Sequence, residues 1–357
     1  MFFEKPPFGL NFSDHSIEIV SLGESIEKPK LLAMSRVILE PGIVENGRIL
    51  QEEELELILK NLIGKPQFGK INTNKFIFTL PESKTFIYFF ELAENLDREK
   101  VEKEIESQVI HNFPFPLKDL YFDFTIKNRE VTLIAAQRDT VDDFLSVFRR
   151  LQILPVALEA ESLSLARSLI GAAQEIILIA DIGARTTNFS FFDENRLKLS
   201  ISIDSAGDKF SRALMEKLNI SFQEAEESKK EIGLNPEREE GKVFLILQKE
   251  FQGIISEIKK IEEYFQKKTG KSLEKIILAG GSASILNLAD YLADNLEKPV
   301  LIGDPWEKIN ISILKKKEYF EKALEVVPIL YAPAIGSALL GLTTTPEKNT
   351  INLLPKR

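Results

Sequence analysis

The sequence predicts an α/β protein made of two similar halves, with a small α+β subdomain inserted into the first half. Two strand–turn–strand units, which begin at residues 8 and 176 and are each followed by helices, indicate the two halves. Between them, a stretch of about 70 residues has a different order of elements, which is typical of an insert. The length of 357 residues, of which 44% are hydrophobic, allows each half to bury its own core.

The first half opens with three predicted strands and a helix. FGLNFSDHSIEIVSL indicates two strands joined by a polar turn, and KLLAMSRVILEPG continues with a third, so we expect an antiparallel start. Apolar residues recur at helical spacing in RILQEEELELILKNLIGK, where Gly64 marks the helix end. NKFIFTLP has the length and flanks of a buried strand.

The insert alternates strands and helices in its own order. TFIYFFEL, YFDFTIKN and EVTLIAAQ are predicted strands, and REKVEKEIESQVIHNF and TVDDFLSVFRRL are predicted helices. The following segment, ALEAESLSLARSLIG, is predicted as a helix that leads back to an α/β rhythm.

The second half repeats the plan of the first. EIILIADIGARTTNFSFFDENRLKLSISI predicts strands joined by turns, three helical segments follow up to residue 270, and KIILAGGSASILNLADYLADNLEKPV predicts a strand, a Gly-Gly turn and a helix. The predicted division is 1–80 and 153–172 for the first core, 81–152 for the insert, 173–210 and 273–333 for the second core, 211–272 for its helical part, 334–342 for a helix closing the first half, 343–350 for a linker and 351–357 for a terminal segment.

Composition excludes several classes of function. The net charge of −9 argues against nucleic acid as a partner, because phosphate binding depends on clustered Lys and Arg. The absence of cysteine removes disulfides, Cys-based zinc sites and Cys nucleophiles, and the two histidines, His15 and His111, are far apart in the sequence. Because we find neither a signal peptide nor a membrane-spanning run, we expect a cytosolic protein.

The strongest local signal is DIGARTTN, residues 181–188, directly after an apolar strand. Asp181 at the strand end, Gly183 and a row of Thr and Asn donors suit a loop that curls around phosphates and holds hydrated magnesium. An ordinary β-turn is the alternative interpretation of this stretch taken alone.

Two weaker signals follow it. Gly280 and Gly281 come after a predicted strand and open a helix, so a nucleotide could lie against backbone with no Cβ in the way. Glu226 and Lys229 stand three residues apart on one helical face, a spacing that usually means a surface ion pair.

The order of these motifs, together with AIGSALLGL near residue 340, resembles the actin-like ATPase superfamily. A longer set resembles the PilM family of type IV pilus assembly and its FtsA-like relatives: EPGIVENGRI, FPFPLKDLYFDFTI, TLIAAQRDTVDDFLSVFRRLQILP, DSAGDKFSRALMEKLNISFQEAEESKKEIGL and APAIGSALLGL. The resemblance runs almost end to end. It implies a two-lobed actin-like (ribonuclease H-like) ATPase fold with an FtsA-type α+β insert subdomain.

The resemblance also implies ATP between the two halves, with Mg²⁺ held through water by Asp181. The residues implied at the nucleotide are Asn11, Ser13, Asp181, Gly183, Thr186, Thr187, Asn188, Gly207, Glu226, Lys229, Gly280, Gly281 and Ser282. The first phosphate loop departs from the family pattern, because Asn11 replaces an expected Asp and Ser13 an expected Gly. An amide neither takes up a proton nor supplies negative charge near a metal. We therefore expect nucleotide binding with weak hydrolysis at best, and Glu159 and Asp14 are the only candidate catalytic carboxylates.

The last residues, INLLPKR, follow a polar stretch that reads as a linker. Ile351, Asn352, Leu353, Leu354 and Pro355 are similar to the cytoplasmic N-terminal motif of PilN, the membrane partner of the PilM family, which docks beside the insert. Three explanations stay open: a natural docking segment that fills its own groove or a neighbour's, an artificial fusion of platform and partner peptide, or chance.

Together these observations predict a scaffold of the type IV pilus inner-membrane assembly platform, cytoplasmic and peripheral to the inner membrane through a partner. The expected partners are a PilN-like protein and other platform proteins, with self-association through the terminal segment as a further option. The alternatives are an active ATPase or small-molecule kinase of the superfamily, or an FtsA-like division protein.

Overall fold

The computed structural model describes residues 5–45, 47–94, 97–171, 174–343 and 350–356. The chain divides into two compact units: the first comprises Met1–Ser168 and Pro305–Arg357, and the second comprises Leu169–Asp304.

The strands, in chain order, are β1 Phe8–Phe12, β2 Ser16–Ser25, β3 Lys28–Ile38, β4 Val44–Glu45, β5 Arg48–Ile49, β6 Phe68–Gly69, β7 Lys75–Leu80, β8 Thr85–Glu91, β9 Leu120–Lys127, β10 Glu130–Gln137, β11 Leu154–Ala160, β12 Ile177–Ile182, β13 Thr187–Asp193, β14 Arg196–Ile203, β15 Lys275–Ala279 and β16 Val300–Ile302. The helices are α1 Glu52–Gly64, α2 Arg98–Asn112, α3 Arg138–Arg150, α4 Glu161–Leu169, α5 Gly207–Leu218, α6 Phe222–Glu231, α7 Lys242–Thr269, α8 Leu288–Leu296, α9 Phe320–Leu324 and α10 Ala332–Leu340.

The first unit is built on a six-stranded mixed sheet in the order β11-β7-β1-β2-β3-β6. The predicted antiparallel opening is present, since β1 pairs with β2 and β2 with β3 in antiparallel register. All five residues of β1 are buried, and α10 packs directly against this strand. Gly9 permits that approach, because a Cβ there would lie 1.9 Å from the Ala334 carbonyl oxygen.

The insert forms an antiparallel sheet in the order β8-β10-β9, with α2 on one side. Asp97 caps α2 by accepting a 2.9 Å hydrogen bond from the Lys100 N–H, which satisfies one of the helix's unpaired donors. Helix α3 packs its Phe144 and Phe148 rings against Phe12 and Phe78 of the main sheet. This aromatic cluster joins the insert to the core of the first unit.

The second unit contains a five-stranded sheet in the order β14-β13-β12-β15-β16. Strands β12, β15 and β16 run parallel, and β13 and β14 return antiparallel, which reproduces the predicted strand–turn–strand unit. Helix α7 is 28 residues long and buries an apolar face that includes Phe251 and Ile258. The ring of Phe210 on α5 packs against that of Phe251 at a tilted angle of 42°, with 4.6 Å between centroids, so these helices share one core.

Two sequence predictions differ from the structure. Residues 157–160 were predicted to be helical but belong to β11, because they pair in parallel with β7 in the sheet. Residues 305–333 were predicted to lie in the second half, whereas the structure assigns them to the first unit. There Lys30 forms a β-bridge with Asn310, and Ile309 and Leu314 are buried in a cluster with residues of β2 and β3.

Within the described residues, no single helix is long and apolar enough to cross a bilayer. By length and composition alone, one bent pair passes that test: segments Lys317–Leu324 and Pro328–Leu340, with 101° between them.

Candidate functional site

In the second unit, the predicted DIG motif forms a tight turn between two buried strands. Strand β12 ends at Ile182, the Gly183 N–H donates to the Thr186 carbonyl at 3.0 Å, and β13 begins at Thr187. Asp181 pairs in register with Asn188 across the hairpin and with Ala279 of β15 on its other side. The turn therefore lies at the carboxyl ends of two parallel strands, where ligands of open α/β sheets commonly bind.

Helix α5 begins against this turn. The N–H groups of Gly207 and Asp208 donate to the carbonyls of Gly183 and Ala184 at 3.0 and 2.8 Å. These bonds satisfy two of the unpaired N–H groups at the helix start and fix the turn to it. A Cβ on Gly207 would lie 2.9 Å from the Ser282 hydroxyl and 3.2 Å from the Gly183 carbonyl oxygen. Glycine at this position therefore permits the close approach of the turn, the helix and the second glycine loop.

The loop after β15 completes this arrangement. Gly280 has φ +78°, and a Cβ there would lie 2.5 Å from both the Asp181 carboxylate and the Ile182 carbonyl oxygen. Gly281 opens a short 3₁₀ turn, Gly281–Ser284, in which the buried Ser282 hydroxyl donates to the Gly183 carbonyl at 3.4 Å. Only glycine meets both the positive φ and the close approach at position 280.

A buried polar cluster lies next to Gly207. The Lys229 ammonium, on a residue only 4% exposed, donates to the Gly207 carbonyl at 3.1 Å and to the Ser211 hydroxyl at 2.8 Å, and forms an ion pair with Glu226 at 2.5 Å. Ser211 also donates to the Glu226 carboxylate. The Lys229 ammonium is therefore buried and fixes the first turn of α5, with the partly exposed Glu226 as its partner, so the pair is not the surface ion pair that its spacing usually indicates.

Sequence reasoning missed Ser211. It stands four residues after Gly207 on α5, so both lie on the same helix face, and that spacing was the available signal.

Two predicted phosphate-loop side chains are used inside the sheet. The Thr187 hydroxyl donates to the Ser205 carbonyl at 2.6 Å, and the Asn188 side-chain oxygen accepts from the Ser202 hydroxyl at 2.6 Å. Thr186 contributes its backbone carbonyl to the turn and has a half-buried side chain. The structure thus brings together Asp181, Gly183, Gly207, Glu226, Lys229, Gly280, Gly281 and Ser282.

The residues of this site suit a nucleotide phosphate group. Gly207 and Gly280 let polar atoms approach to distances at which any Cβ would clash, and the Ser205 hydroxyl is buried without a hydrogen-bond partner in the described part of the chain. No group of three metal-ligating side chains is found among the described residues, so a magnesium ion at Asp181 would take most of its ligands from water and phosphate.

The corresponding turn in the first unit has a different chemistry. The Asn11 amide donates to the buried Glu18 carboxylate at 3.1 Å, and its oxygen accepts from the Thr79 hydroxyl at 2.5 Å. Glu18 also forms a 2.9 Å ion pair with Arg36. Burial raises the pKa of the Glu18 carboxyl, and Arg36 opposes that shift. Asn11 is therefore part of a closed polar network.

Ser13 and the two candidate carboxylates are also engaged. The Ser13 hydroxyl accepts from the N–H groups of His15 and Ser16 at 3.2 and 2.9 Å, which stabilises the turn. Asp14 accepts from the Gly47 N–H at 2.8 Å. Glu159, only 1% exposed, forms a two-point ion pair with Arg167 at 2.9 Å and accepts from Ser337 at 3.2 Å. The carboxylates of Asp14 and Glu159 therefore both serve as hydrogen-bond acceptors within the fold.

The terminal segment lies against the edge strand β11 of the first unit. The Leu353 N–H donates to the Leu158 carbonyl at 2.8 Å, and the Leu158 N–H donates to the Asn352 side-chain oxygen at 3.0 Å. Ile351 and Leu353 are 4% and 1% exposed, within the core cluster that contains Phe144 and Phe148. We call the surface that contacts this segment the β11 groove. It is formed by β11, by Asp123 and by the core cluster that contains Phe144 and Phe148.

Asp123 of β9 is the charged member of the β11 groove. One of its oxygens accepts from the Asn352 N–H at 2.9 Å, and the other pairs with the Lys356 ammonium at 3.0 Å. Sequence reasoning named the segment but missed both Asp123 and Leu158. Asp123 interrupts the apolar pattern of YFDFTIK, which was the available signal, whereas the Leu158 contacts use backbone groups and leave no trace in the sequence.

Comparisons with solved structures show the fold. The structure described as a "PilM-PilN type IV pilus biogenesis complex" matches with a TM-score of 0.78 at 20% identity, covering 95% of this chain and 99% of the other. The ethanolamine utilization protein EutJ from Carboxydothermus hydrogenoformans matches with a TM-score of 0.54 at 15% identity, covering 95% and 90%. MreB5 of Spiroplasma citri bound to ADP matches with a TM-score of 0.53 at 14% identity, covering 94% and 96%.

These likenesses confirm the predicted α/β, actin-like fold. At the level of sequence, the family model described as "Type IV pilus assembly protein PilM" matches residues 9–341. The chain therefore belongs to the PilM family of type IV pilus assembly proteins.

Proposed function

We propose that this protein is a cytoplasmic actin-like scaffold of the type IV pilus assembly platform, which binds ATP through its second unit and a PilN-like peptide through the β11 groove. A membrane-anchored partner would then hold it at the inner membrane. The observation that carries the proposal is the seat of the Ile351–Pro355 segment in the first unit of a PilM-family chain.

The nucleotide half of the proposal is supported by the assembly of the two glycine loops. Gly183, Gly207 and Gly280 approach each other around the Asp181 carboxylate, with the buried Lys229 and Glu226 alongside. Asp181 would hold Mg²⁺ through water, and the metal would neutralise phosphate charge. The glycines keep side chains away from the carboxylate, and the Gly207 N–H fixes the turn to α5. The Lys229 ammonium lies 3.1 Å from the Gly207 carbonyl oxygen.

Weak hydrolysis at best follows from the chemistry of the first unit. Asn11 stands where an ATPase of this family has an Asp, and both its amide atoms are used within the network to Glu18 and Thr79. Asp14 and Glu159 accept hydrogen bonds within the first unit. A general base must lie within hydrogen-bond reach of the proton that it removes, and these carboxylates have structural partners instead.

The peptide half is supported by the chemistry of the groove. An edge strand offers unpaired N–H and C=O groups, and an extended peptide satisfies them while its alternate side chains fill apolar pockets. Here Leu158 supplies both backbone groups, Asp123 fixes a peptide N–H, and Ile351 and Leu353 show which side chains the pockets accept. The similar solved complex, which pairs PilM with PilN, points to the same class of partner.

The nucleotide proposal is tested by calorimetric titration of the full chain with MgATP, beside a measurement of phosphate release. We expect saturable binding with negligible turnover. Lys229→Met should weaken binding, whereas Lys230→Met, at the exposed neighbouring position, should not. Circular dichroism of both variants separates a lost site from a lost fold. Rapid turnover would favour the alternative of an active ATPase or kinase, and an absence of binding would reject the nucleotide site.

The peptide proposal is tested with a fluorescent peptide of sequence INLLPKR and full-length chains whose own segment carries Leu353→Asp. We expect binding that is abolished by Asp123→Ala in that background and kept by Asp119→Ala, an exposed acidic residue close by in sequence. A peptide with alanine in place of its asparagine should bind at least tenfold more weakly, since a lost hydrogen-bonded group is worth about 1.4 kcal/mol or more when its partner stays buried. If no peptide binds to any chain, the partner proposal fails.

A further inference from the structure

The β11 groove is filled by the chain's own Ile351–Pro355 segment. We infer that this segment is an intramolecular competitor, which must leave the groove before an external peptide of the same chemistry binds. The inference rests on the proposed peptide function and adds its regulation.

The segment uses the groups that any extended Ile-Asn-Leu-Leu ligand requires. Both the N–H and the C=O of Leu158 are hydrogen-bonded to it, at 3.0 and 2.8 Å. Both oxygens of Asp123 are also engaged, by the Asn352 N–H and the Lys356 ammonium. Because one strand edge accepts one added strand at a given register, two such ligands exclude each other.

Asn352 contributes side-chain hydrogen bonds to the seat of the segment. Its side-chain oxygen accepts from the Leu158 N–H at 3.0 Å and from the Leu354 N–H at 3.1 Å. A side chain thereby occupies the place of a backbone acceptor, and the residues on either side of it, Ile351 and Leu353, are both buried. An external competitor therefore needs the amide as well as the two apolar side chains.

The Ile351–Pro355 segment can leave the β11 groove while the sheet stays folded. In the described part of the chain, one main-chain hydrogen bond joins Leu353 to β11, whereas β11 pairs with β7 from Leu154 to Ala160. Leu354 is half-buried, and Pro355 and Lys356 are exposed. Segments with few main-chain bonds and exposed ends open locally at much lower cost than core strands.

Covalent attachment sets the strength of the competition. Only residues 344–349 separate Thr343, just past α10, from Thr350 at the segment. A covalent connection of so few residues gives an effective concentration on the order of millimolar. An external peptide then competes with an occupant at that concentration, so we expect it to bind the native chain at least tenfold more weakly than a chain whose own segment is disabled.

The test measures anisotropy of the fluorescent INLLPKR peptide with three full-length chains: native, Leu353→Asp, and Leu324→Asp. The last is the matched control, because Leu324 lies on α9 with 73% of its surface exposed. Support requires at least tenfold tighter binding to Leu353→Asp than to the other two. Equal binding to all three overturns the competition and leaves the groove intact, whereas no binding to any chain rejects the underlying peptide function.

A second measurement covers the case in which Leu353→Asp does not fold. Amide hydrogen exchange in the native chain should be faster in 350–356 than in β7, and added INLLPKR peptide should accelerate it further by keeping the segment out. If both regions exchanged only through global unfolding, the 350–356 segment would be a permanent part of the core, and the inference would be overturned.

Light scattering at rising protein concentration should report monomers. Exchange of the segment between chains would instead give open oligomers and would overturn competition within one chain.

Discussion

The two strand–turn–strand units place similar hairpins in the two units of the chain but fill their turns differently. In the second unit, the turn after Asp181 is bordered by Gly183, Gly207 and Gly280, and these glycines let the turn, the start of α5 and the loop after β15 approach one another closely. In the first unit, Asn11 and Ser13 use their side chains to hydrogen-bond Glu18, Thr79 and the turn's own N–H groups.

The difference shows that hairpin geometry alone does not make a phosphate site. A turn binds an anion when backbone donors and space face the ligand, and it becomes a structural corner when side chains satisfy those donors locally. In the first turn, side chains satisfy the donors, whereas in the second turn backbone carbonyls satisfy them and glycines, not polar side chains, border the Asp181 carboxylate. Four substitutions test this comparison.

The largest effect is expected from Asn11→Asp, which introduces the Asp that the sequence resemblance leads us to expect at this position. The new carboxylate would stand at the place from which the Asn11 amide now donates to Glu18 at 3.1 Å, in a site only 4% exposed. A buried like-charged pair without a bridging donor should lower the free energy of unfolding by about 3–5 kcal/mol at pH 7. Urea denaturation measures this loss.

The double variant Asn11→Asp/Glu18→Gln is the control for that charge repulsion, and it should recover most of the stability. The loss in the single variant should also grow as pH rises, because a carboxyl with a raised folded pKa stabilises the fold only while it is protonated. Unchanged stability together with new ATP turnover would mean that the first turn is a disabled catalytic site instead of a structural corner.

Gly280→Ala should have the next largest effect. The added Cβ would approach Asp181 and the Ile182 carbonyl to 2.5 Å at a φ of +78°, so strain and overpacking should cost about 2–4 kcal/mol and remove nucleotide binding. Gly253→Ala, in the interior of α7 with nothing within 4 Å, should instead stabilise the chain by about 0.5–1 kcal/mol. Equal behaviour of the two variants would contradict the close approach at Gly280.

Ser13→Ala should have a smaller effect. It removes the acceptor for the N–H groups of His15 and Ser16, at a cost of about 1 kcal/mol. Ser312→Ala, at an exposed position of the same unit, should change stability by less than about 0.5 kcal/mol. Nucleotide affinity should not change in either variant, and a loss confined to Ser13→Ala would assign that hydroxyl to the ligand.

The smallest effect is the pH dependence that Glu18 contributes. Burial raises its folded pKa above the ordinary value near 4.5, so the native state keeps this proton over a range in which the unfolded state loses it. The stability due to this group is therefore greatest at low pH and falls as pH rises through the folded pKa. Glu18→Gln should flatten that slope in urea titrations that run from acid pH upward through the ordinary carboxyl value. An unchanged slope would contradict the shift.

The local pattern of the chain predicted most of the elements that carry the nucleotide candidate site. The apolar run before Asp181 predicted β12, and the Gly-Gly pair predicted the loop after β15. Both depend on period and on glycine placement, which are local properties. Lys229 was also named, but its burial under α5 depends on how two helices pack, so spacing alone suggested an exposed pair.

The terminal segment shows what remains out of reach of local pattern. The similarity of its residues to a PilN motif identified the segment. Its position against β11 was not predictable, because residues 157–160 of that strand were predicted as helix. The sequence ALEAESLSL has good helix formers, and pairing with β7 overrides that preference. The position of Asp123 beside Asn352 likewise depends on the fold of the insert.

The amino-acid sequence by itself determined the α/β class and the two glycine loops, because each depends on residue type and short-range spacing, whereas the Asn11 departure and the motif at residues 351–355 were recognised through the resemblance to the PilM family. Tertiary structure alone decided that Asn11 is tied to Glu18, that Lys229 is buried, and that the motif fills a groove of its own chain. These outcomes depend on which distant backbone and side-chain groups meet, and such meetings arise from packing between elements far apart in sequence.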